Sequence, residues 1–449
     1  MTQQMLQEVQ VSIKPIKLDV RYIELGMYVS ALDRSWQKTP FPIQGFYVRD
    51  RAEIKQLKVH CQYVYIDIVK GIVPSDKTLL DGTVSQDLSE IYRGPLRAIY
   101  VDDAVYKGSE TLTSEMTLAQ HAYHALMTEI AGVMVQVTKR SDVLLKPLMD
   151  ASYAMVDSIA RNPDAFMWLV RVRKTDEKDP FYYLLRSASW AVAFGRHLGL
   201  SKANLRILAL STILREVGRL TLPKVLLSSK AGDPSHSGVG QIIVEQTIAV
   251  LKSIHDVPPK VIKTVSMMFE RLNGSGYPHQ HQGDDIPFLS KIAGVAVFYD
   301  EATYLKGELC SIPSSQSISR LYEARGKQFQ DDLVVEFIKA FGLYPTGTLV
   351  KLSTGEIAIV TEQNYTRRLK PRVMVVVDKS GKALGSFDYL DLMVGDTRNI
   401  VPPSSSRIRK AEAQIPSRVD IMEDVQPYDY SIKVTKIREN LIKFYGQQK

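Results

Sequence analysis

The order of hydrophobic and polar residues divides the chain into regions of different periodicity. From the eleventh residue to about residue 70, short runs predict strands and turns, and FYVRDRAEIKQLKVHCQYVYIDI indicates strand, short helix and strand. Residues 71–110 are polar and rich in Gly, Pro, Asp and Ser, which predicts a linker or long loop. Helical periodicity runs from about residue 114 to 174, and residues 181–342 are almost wholly helical with short Gly/Pro breaks.

The period changes to two in residues 347–392, where apolar and polar side chains alternate. A Thr354-Gly355 turn separates two strand runs, and a Ser380-Gly381 turn separates two more. This pattern predicts a small β meander of about four strands. The tail that follows contains consecutive prolines and serines, which predicts an extended segment, with a short helix near residues 434–445.

These regions together predict a multidomain α+β protein. A central all-α helical bundle lies between a small α/β N-terminal domain and a small C-terminal β meander. The predicted boundaries are 11–75 for the N-terminal domain, 76–142 for a linker and helices, 143–342 for the bundle, 343–393 for the β extension and 394–449 for the tail.

Composition narrows the class of protein. The chain has 449 residues, which suits two or three domains, and a net charge of +8 from 57 basic and 49 acidic residues. This charge is not concentrated on one element, so we expect no DNA binding. Cys61 and Cys310 lie far apart, which favours a reducing compartment. No apolar run reaches about 18 residues and the N-terminus lacks a signal pattern, so we expect a cytoplasmic protein.

The segment ERLNGSGYP, residues 270–278, is the most unusual stretch of the helical region. Its turn-forming residues are Asn273, Gly274, Gly276 and Pro278. A glycine turn of this kind after an apolar helix typically serves a site. The two residues directly before it are Met268 and Phe269, so a metal site framed by this turn would lack histidines there.

These residues carry a resemblance to a known family. ERLNGSGYPHQHQGDDIP resembles the signature HHExxDGxGYPxxxxGxxIP of the HD-GYP domain, and LREVGRLTLPKVLL is similar to that family's HDxGK segment. The resemblance spans roughly residues 145–340. LGMYVSALDRSW and TPFPIQGFYV resemble the small domain of unknown function that precedes many such domains, and LYPTGTLVKLSTGEIAIV resembles the usual C-terminal extension.

The resemblance implies cyclic di-GMP phosphodiesterase activity. HD-GYP enzymes use two or three iron or manganese ions that are held by His and Asp, because such cations prefer imidazole and carboxylate ligands. Paired metal ions generate hydroxide near neutral pH and hold the phosphate oxygens during in-line attack.

This sequence departs from the family at the metal ligands. The family's HD pair corresponds to Arg215 and Glu216, and its two adjacent histidines correspond to Met268 and Phe269. The full set, called here the seven ligand positions, is Tyr183, Arg215, Glu216, Ile243, Met268, Phe269 and Val297. Among the candidate positions that contact metal ions in the family, only Glu270 keeps the residue of the family signature. The family's lysine after the HD pair is replaced by Arg219.

The residues at these positions favour a hydrocarbon core instead of a metal site. Val261, Val265, Met268 and Leu272 share one helical face by their spacing of 4, 3 and 4. Similar spacing places Ile243 and Val297 on apolar faces of two other helices. A metal ion without charged ligands among such side chains is prohibitively unfavourable, so we expect no metal cofactor.

Arg215 lies on the face of its helix that would point toward the metal ions. A buried arginine requires an anionic partner, and Glu216 or Glu270 could serve. Our hypothesis is that Arg215 pairs with Glu270 and replaces the charge of the metal ions. The alternative is that Arg215 extends to the surface from a helix end.

The retained motif consists of Glu270, Arg271, Asn273, Gly274, Gly276, Tyr277 and Pro278. It is either a structural turn or, as the family implies, a docking surface for diguanylate cyclase (GGDEF) domains or other signalling proteins. Phosphate groups of cyclic di-GMP could be held by Arg219, Lys224 and Arg271. The predicted function is therefore a catalytically inactive HD-GYP pseudo-phosphodiesterase that acts by binding in cyclic di-GMP signalling. The alternatives are a phosphodiesterase with an altered metal site and a non-hydrolysing cyclic di-GMP receptor.

Overall fold

The computed structural model of the chain divides into two units, residues Met1–Ile99 and Tyr100–Lys449. The residues that it describes are 16–34, 41, 46–48, 51–67, 105–106, 110–172, 180–223, 237–304, 312–364, 368–393 and 419–426. Each unit is described by itself below.

The first unit contains a four-stranded antiparallel sheet and one helix. The strands are β1 Ile16–Asp19, β2 Tyr28–Leu32, β3 Phe46–Tyr47 and β4 Tyr63–Ile66, in the order β1-β4-β2-β3, and the helix is α1 Arg51–His60. The predicted strand, short helix and strand are thus confirmed. Along β4, Val64 and Ile66 are buried while Tyr63 and Tyr65, which alternate with them, are half-buried, as expected for a strand with one face on a core.

The second unit begins with the helical region that the periodicity predicts. Its helices are α2 Leu112–Thr138, α3 Leu145–Arg161, α4 Pro163–Arg171, α5 Tyr182–His197, α6 Lys202–Leu214, α7 Ser237–Ser253, α8 Pro259–Met267, α9 Phe288–Thr303, α10 Ser314–Glu323 and α11 Asp331–Phe341. A 3-10 segment, Val217–Thr221, follows α6. None of the helices in the described part of the chain is long and apolar enough to span a bilayer.

Side-chain caps mark the start of three of the described helices. Thr111 accepts a hydrogen bond from the Ser114 amide at the start of α2, and Ser201 accepts one from Asn204 at the start of α6. Asn162 caps α4, where Pro163 occupies the first helical position without loss of a hydrogen bond.

An aromatic cluster forms the centre of the helical core. The Trp190 ring on α5 meets Tyr299 of α9 edge to face at 5.0 Å and Phe341 of α11 at 4.7 Å. Phe337 packs between these rings and Phe194. Edge-to-face aromatic pairs of this kind stabilise a core by more than their buried area alone, and they connect three helices that are distant in sequence.

The β meander is confirmed and contains a fifth strand. Its strands are β5 Leu349–Leu352, β6 Ile357–Glu362, β7 Arg372–Val377, β8 Ala383–Asp391 and β9 Ile421–Asp424, in the order β8-β7-β6-β5-β9. The two predicted turns place Gly355 at φ +88° and Gly381 at φ +83°, which a residue with a side chain rarely adopts. The β9 strand comes from the tail and pairs with the exposed edge of β5, a long-range pairing that alternation does not predict. The predicted helix near residues 434–445 lies outside the described residues.

A buried carboxylate joins the meander to the helices. Asp164, in the first turn of α4, accepts hydrogen bonds from Thr346 Oγ1 at 2.5 Å and from the Gln363 amide at 3.2 Å. Burial raises the pKa of Asp164 above its ordinary value, and the hydrogen bonds from Thr346 and Gln363 oppose that shift. These bonds fix the β sheet against the helical region within the second unit.

Candidate functional site

The GSGYP turn is held by its own backbone and by close packing. Asn273 Oδ1 accepts hydrogen bonds from the amide and the hydroxyl of Ser275, and Gly274 has a φ of +76°. A Cβ atom at Gly276 would overlap the backbone of Glu270 and Arg271 and would lie 2.5 Å from the Phe269 carbonyl oxygen. The Tyr277-Pro278 peptide bond is cis. The turn therefore folds back on the residues that precede it.

Tyr277 packs inward and not toward solvent. Its ring stacks on Phe269 with centroids 5.1 Å apart and planes 9° from parallel. On the other side, a Cβ atom at Gly240 of α7 would lie 2.7 Å from Tyr277 Cζ, so only glycine allows this approach. Burial is the main cause that raises the pKa of Tyr277. The tyrosine of the retained motif thus packs against the residue at one of the seven ligand positions.

The apolar ligand positions are core positions. Ile243, Met268 and Val297 are at most 3% exposed, and Phe269 is 6% exposed. Val261 and Val265, which share the predicted face with Met268, are fully buried. The predicted burial of Ile243, Met268 and Val297 is confirmed, but Leu272, the fourth residue of the face predicted with Met268, lies beyond the end of α8 and is half-buried. Each buried apolar side chain gains about 1.5–3 kcal/mol from leaving water.

Arg215 is fully buried, with 0% exposure, so the alternative of a surface arginine is wrong. Its Nη1 donates to the Thr212 carbonyl at 2.9 Å, and its guanidinium lies 5.0 Å above the Tyr183 ring. The carboxylate near it is that of Glu216, with Nε to Oε1 at 3.7 Å. No ion pair joins Arg215 to Glu270 among the described residues, so the hypothesis of that pair is wrong, and the ion pair is made with Glu216 instead.

Glu216 is the acceptor at the centre of this cluster. Its Oε2 accepts from the Tyr183 hydroxyl at 3.3 Å and from Arg219 Nη1 at 3.2 Å. The pKa of Tyr183 is raised above its ordinary value. Burial is the largest cause, and the negative charge of the nearby Glu216 carboxylate is the second. The predicted ligand positions Tyr183, Arg215 and Glu216 are thus brought together as an internal polar cluster.

Glu270 and Arg271 have structural partners within the turn. Glu270 Oε1 accepts from the His279 amide at 2.8 Å. Arg271 Nη1 donates to the Glu270 carbonyl at 2.9 Å, and its guanidinium lies 4.8 Å from the Phe329 ring centroid. Burial lowers the pKa of Arg271 below its ordinary value. Lys224, the third predicted phosphate-binding residue, lies outside the described residues.

The donor set does not fit a di-iron or di-manganese centre. In the part of the chain that the structure describes, no three His, Cys, Asp or Glu side chains group closely enough to hold a metal ion. The seven ligand positions offer one carboxylate, and Arg219 and Tyr183 already engage it. A buried guanidinium at 3.7 Å from that carboxylate would repel any cation bound to it.

Comparison with known proteins places these elements in families. The HD domain family matches residues 156–333, which include α5 to α9 and the whole polar cluster. The central helical region is an HD domain. Residues 15–148 match the domain of unknown function DUF3391, and residues 349–410 match the KOW domain associated with HD domains. These three matches follow the order of the N-terminal, helical and β regions along the chain.

Curated relatives of the HD domain protein are phosphodiesterases. A cyclic di-GMP phosphodiesterase of Pseudomonas aeruginosa, PA4108, is 25% identical over 397 residues, which cover 86% of this chain and 91% of that protein. The cyclic di-GMP phosphodiesterase PdeB of Borreliella burgdorferi is 20% identical over 296 residues, or 64% of this chain and 75% of that protein. A solved HDG"Y"P protein from Bdellovibrio bacteriovorus matches with a TM-score of 0.41 and 14% identity over 72% of this chain and 97% of that one.

The HD domain also contains a buried ion pair that the sequence did not predict. Asp300 on α9 accepts from Arg186 Nε at 2.5 Å, from Arg186 Nη2 at 3.1 Å and from Ser187 Oγ at 2.7 Å. The Arg186 guanidinium lies 3.5 Å from the centre of the Tyr304 ring. A sequence signal existed, since Asp300 falls on an otherwise apolar helical face, where a charged residue needs a partner.

Replacing Arg215 with methionine is expected either to raise the free energy of unfolding or to lower it by less than about 1 kcal/mol. The guanidinium is fully buried, yet its Nε and Nη2 atoms lack hydrogen-bond partners among the described residues. Glu216 keeps the hydrogen bonds from Arg219 and Tyr183 after the change. Urea unfolding measures the difference.

The matched control for this variant is Arg186→Met, which removes an equally large buried guanidinium but leaves Asp300 without its ion pair. This control is expected to lose about 3–5 kcal/mol. A similar loss in Arg215→Met would contradict the view that the Arg215 charge contributes little net stability.

Proposed function

We propose that this HD domain does not hydrolyse cyclic di-GMP and that the protein acts by binding in cyclic di-GMP signalling. The observation that carries the proposal is the fully buried Arg215, which occupies a position that the resemblance assigns to a metal ligand. The adjacent-histidine positions hold Met268 and Phe269, both buried. A cation at this place would face a guanidinium, hydrocarbon and the single Glu216 carboxylate, which Arg219 and Tyr183 already engage, instead of several imidazoles and carboxylates.

Hydrolysis of a phosphodiester in this family depends on metal-bound water. Without a metal ion, the pKa of water is too high for hydroxide to form near neutral pH. No divalent cation then binds the phosphate oxygens and neutralises their charge. The residues at the seven ligand positions provide no general base in its place, because the Glu216 carboxylate already accepts from Arg219 and Tyr183. The chemistry that remains is binding.

Purified protein is expected to contain less than about 0.1 iron or manganese ion per chain and to leave cyclic di-GMP intact, because a site of this composition lacks ligands. Metal content is measured by elemental analysis and turnover by chromatography of the nucleotide products. The Pseudomonas aeruginosa phosphodiesterase, prepared in parallel, is the positive control for both measurements.

Stoichiometric metal together with cleavage of cyclic di-GMP would contradict the proposal and would favour the phosphodiesterase with an altered site. Binding of cyclic di-GMP without cleavage would favour the receptor alternative. For that alternative, Arg219 and Arg271 would have to leave their partners, Glu216 and the Glu270 carbonyl. The receptor alternative is therefore supported less well than the binding of a protein partner.

The partner that we propose is a diguanylate cyclase (GGDEF) domain, which would dock on the exposed outer face of the turn. Ser275, His279 and Gln280 are exposed there, while Tyr277 and Pro278 pack inward. Phe288, which begins α9 ten residues after the motif, is 40% exposed. An exposed aromatic residue in the segment that follows these exposed polar residues supports a contact with a partner there.

Phe288→Glu is expected to weaken binding of a purified GGDEF domain tenfold or more, because it places a charge in an apolar contact. Biolayer interferometry measures the dissociation constant. The matched control is Ile242→Glu on α7, where the native side chain is 39% exposed. Equal effects of both variants, or no binding to the unchanged protein at about 100 µM, would contradict this partner.

A further inference from the structure

The long helix α2 presents a regular solvent-facing seam. Leu118, His121, Ala125, Thr128, Gly132 and Val135 are all exposed and are spaced 3, 4, 3, 4 and 3 residues apart. This is the spacing of the a and d positions of a heptad, which keeps side chains on one line along a helix. The residues on the opposite face, including Leu126, Ile130 and Val133, are buried against the rest of the unit.

The two ends of the seam are apolar. Leu118 is 52% exposed and Val135 is 47% exposed, although most of the other large apolar side chains of this helix are buried. From the first of these residues to the last, the seam extends roughly 26 Å at the rise of an α-helix. Ala125 lies between the two ends, so the middle of the seam has little side-chain bulk.

Gly132 gives an independent observation. It lies inside α2, where glycine is among the least favourable residues because of its backbone freedom. Nothing in the described part of the chain lies within 4 Å of the place where its Cβ would be, so packing there does not require a glycine. A glycine on an exposed helical face without a neighbour fits the close approach of another backbone from outside.

We propose that this seam is the contact between two copies of the chain, with the α2 helices side by side and parallel. In this arrangement each seam residue faces its equivalent in the second copy, so the surface is self-complementary about a two-fold axis. Leu118 meets Leu118, Val135 meets Val135, and the two Gly132 backbones approach closely.

Hydrogen-bond complementarity selects the parallel orientation. When the seam residues occupy positions a and d, His124 occupies position g and Glu129 occupies position e. In a parallel pair, position g of one helix lies beside position e of the other helix five residues further on. His124 of each copy therefore lies beside Glu129 of the other, twice by symmetry, and the imidazole N–H can donate to the carboxylate. An antiparallel pair would separate these groups.

A seam of this length is short for a permanent dimer, so a reversible dimer in the micromolar range is expected. Sedimentation velocity of the full chain between about 5 and 200 µM is expected to show the mass rising from 50.5 kDa toward twice that value. A mass that stays at 50.5 kDa over this range would overturn the proposal.

Gly132→Glu is the decisive substitution. Glutamate favours a helix more than glycine does, and the position is open, so the fold of one copy is expected to be retained. Two like charges would meet in the seam, and the dimer dissociation constant is expected to rise at least tenfold. The matched control is Gly238→Glu, another exposed helical glycine, on α7, without a neighbour within 4 Å. Equal dimerisation of both variants would overturn the proposal.

A charge exchange tests the orientation. His124→Glu places two carboxylates beside each other in the parallel pair, and Glu129→Lys places a lysine beside His124, so each single variant is expected to weaken the dimer. The double variant His124→Glu/Glu129→Lys is expected to restore it, because the new carboxylate of one copy would then lie beside the new ammonium group of the other. Failure of the double variant to restore the dimer would overturn the parallel pairing. Circular dichroism of every variant verifies that the helices are retained.

Discussion

Replacing Asp300 with alanine is expected to lower the free energy of unfolding of the HD domain by about 3–5 kcal/mol. Asp300 is 1% exposed and accepts three hydrogen bonds, two from Arg186 and one from Ser187. Its removal leaves the Arg186 guanidinium buried without a carboxylate. The loss is a large fraction of the roughly 5–15 kcal/mol by which a domain is normally stable. The fluorescence of Trp168 and Trp190, both fully buried in this domain, reports its unfolding in urea.

Two further variants separate the buried charge from other effects of the substitution. Asp150→Ala removes an ion pair with Lys146 of 2.6 Å whose side chains are largely exposed, and it is expected to cost no more than about 0.5 kcal/mol. The double change Arg186→Met/Asp300→Leu removes both buried charges and is expected to recover most of the stability. If the double variant is as unstable as Asp300→Ala, the loss comes from packing and not from an uncompensated charge.

Replacing Gly276 with alanine is expected to destabilise the HD domain by about 3 kcal/mol, at the upper end for an overpacked position. The added Cβ would overlap the backbone of Glu270 and Arg271, and backbone atoms cannot move aside as a flexible side chain does. The turn would have to open, and the stack of Tyr277 on Phe269 would be lost with it. The urea midpoint of unfolding measures the effect.

Gly283→Ala is the matched control, because it lies in the same connection between α8 and α9. Gly283 has a φ of +50°, but nothing lies within 4 Å of its missing Cβ, so only the strained backbone conformation contributes. The expected cost is about 1–2 kcal/mol. If Gly276→Ala costs no more than this control, the close packing of the motif does not determine its glycine.

These predictions assign the retained motif a structural role that does not depend on catalysis. Gly276 allows the turn to fold back on Phe269, and Tyr277 fills space against Phe269 and Gly240. In the proposed function the same turn leaves its polar tip exposed for a partner. A turn of this sequence is therefore compatible with the proposed absence of metal ligands, since packing alone gives a reason for the glycine and the tyrosine.

The sequence determined the features that depend on neighbouring residues. Helical and alternating periodicity predicted the helices and the β meander, because the period of the apolar side chains is set by the local backbone geometry. Turn chemistry located Gly355 and Gly381, since positive φ angles favour glycine. The same reasoning predicted that Ile243, Met268 and Val297 would be buried, because each lies on an apolar face of its helix.

Only the tertiary structure decided which distant groups meet. Asp300 pairs with Arg186 across 114 residues, and β9 joins β5 from the tail. Arg215 forms no ion pair with the distant Glu270 among the described residues, and its ion pair is with its sequence neighbour Glu216. Each outcome depends on how helices and strands pack, which periodicity along the chain does not contain. A charged residue on an apolar face indicates that a partner must exist, since an unpaired buried charge is costly, but the choice of partner is a property of the packed chain.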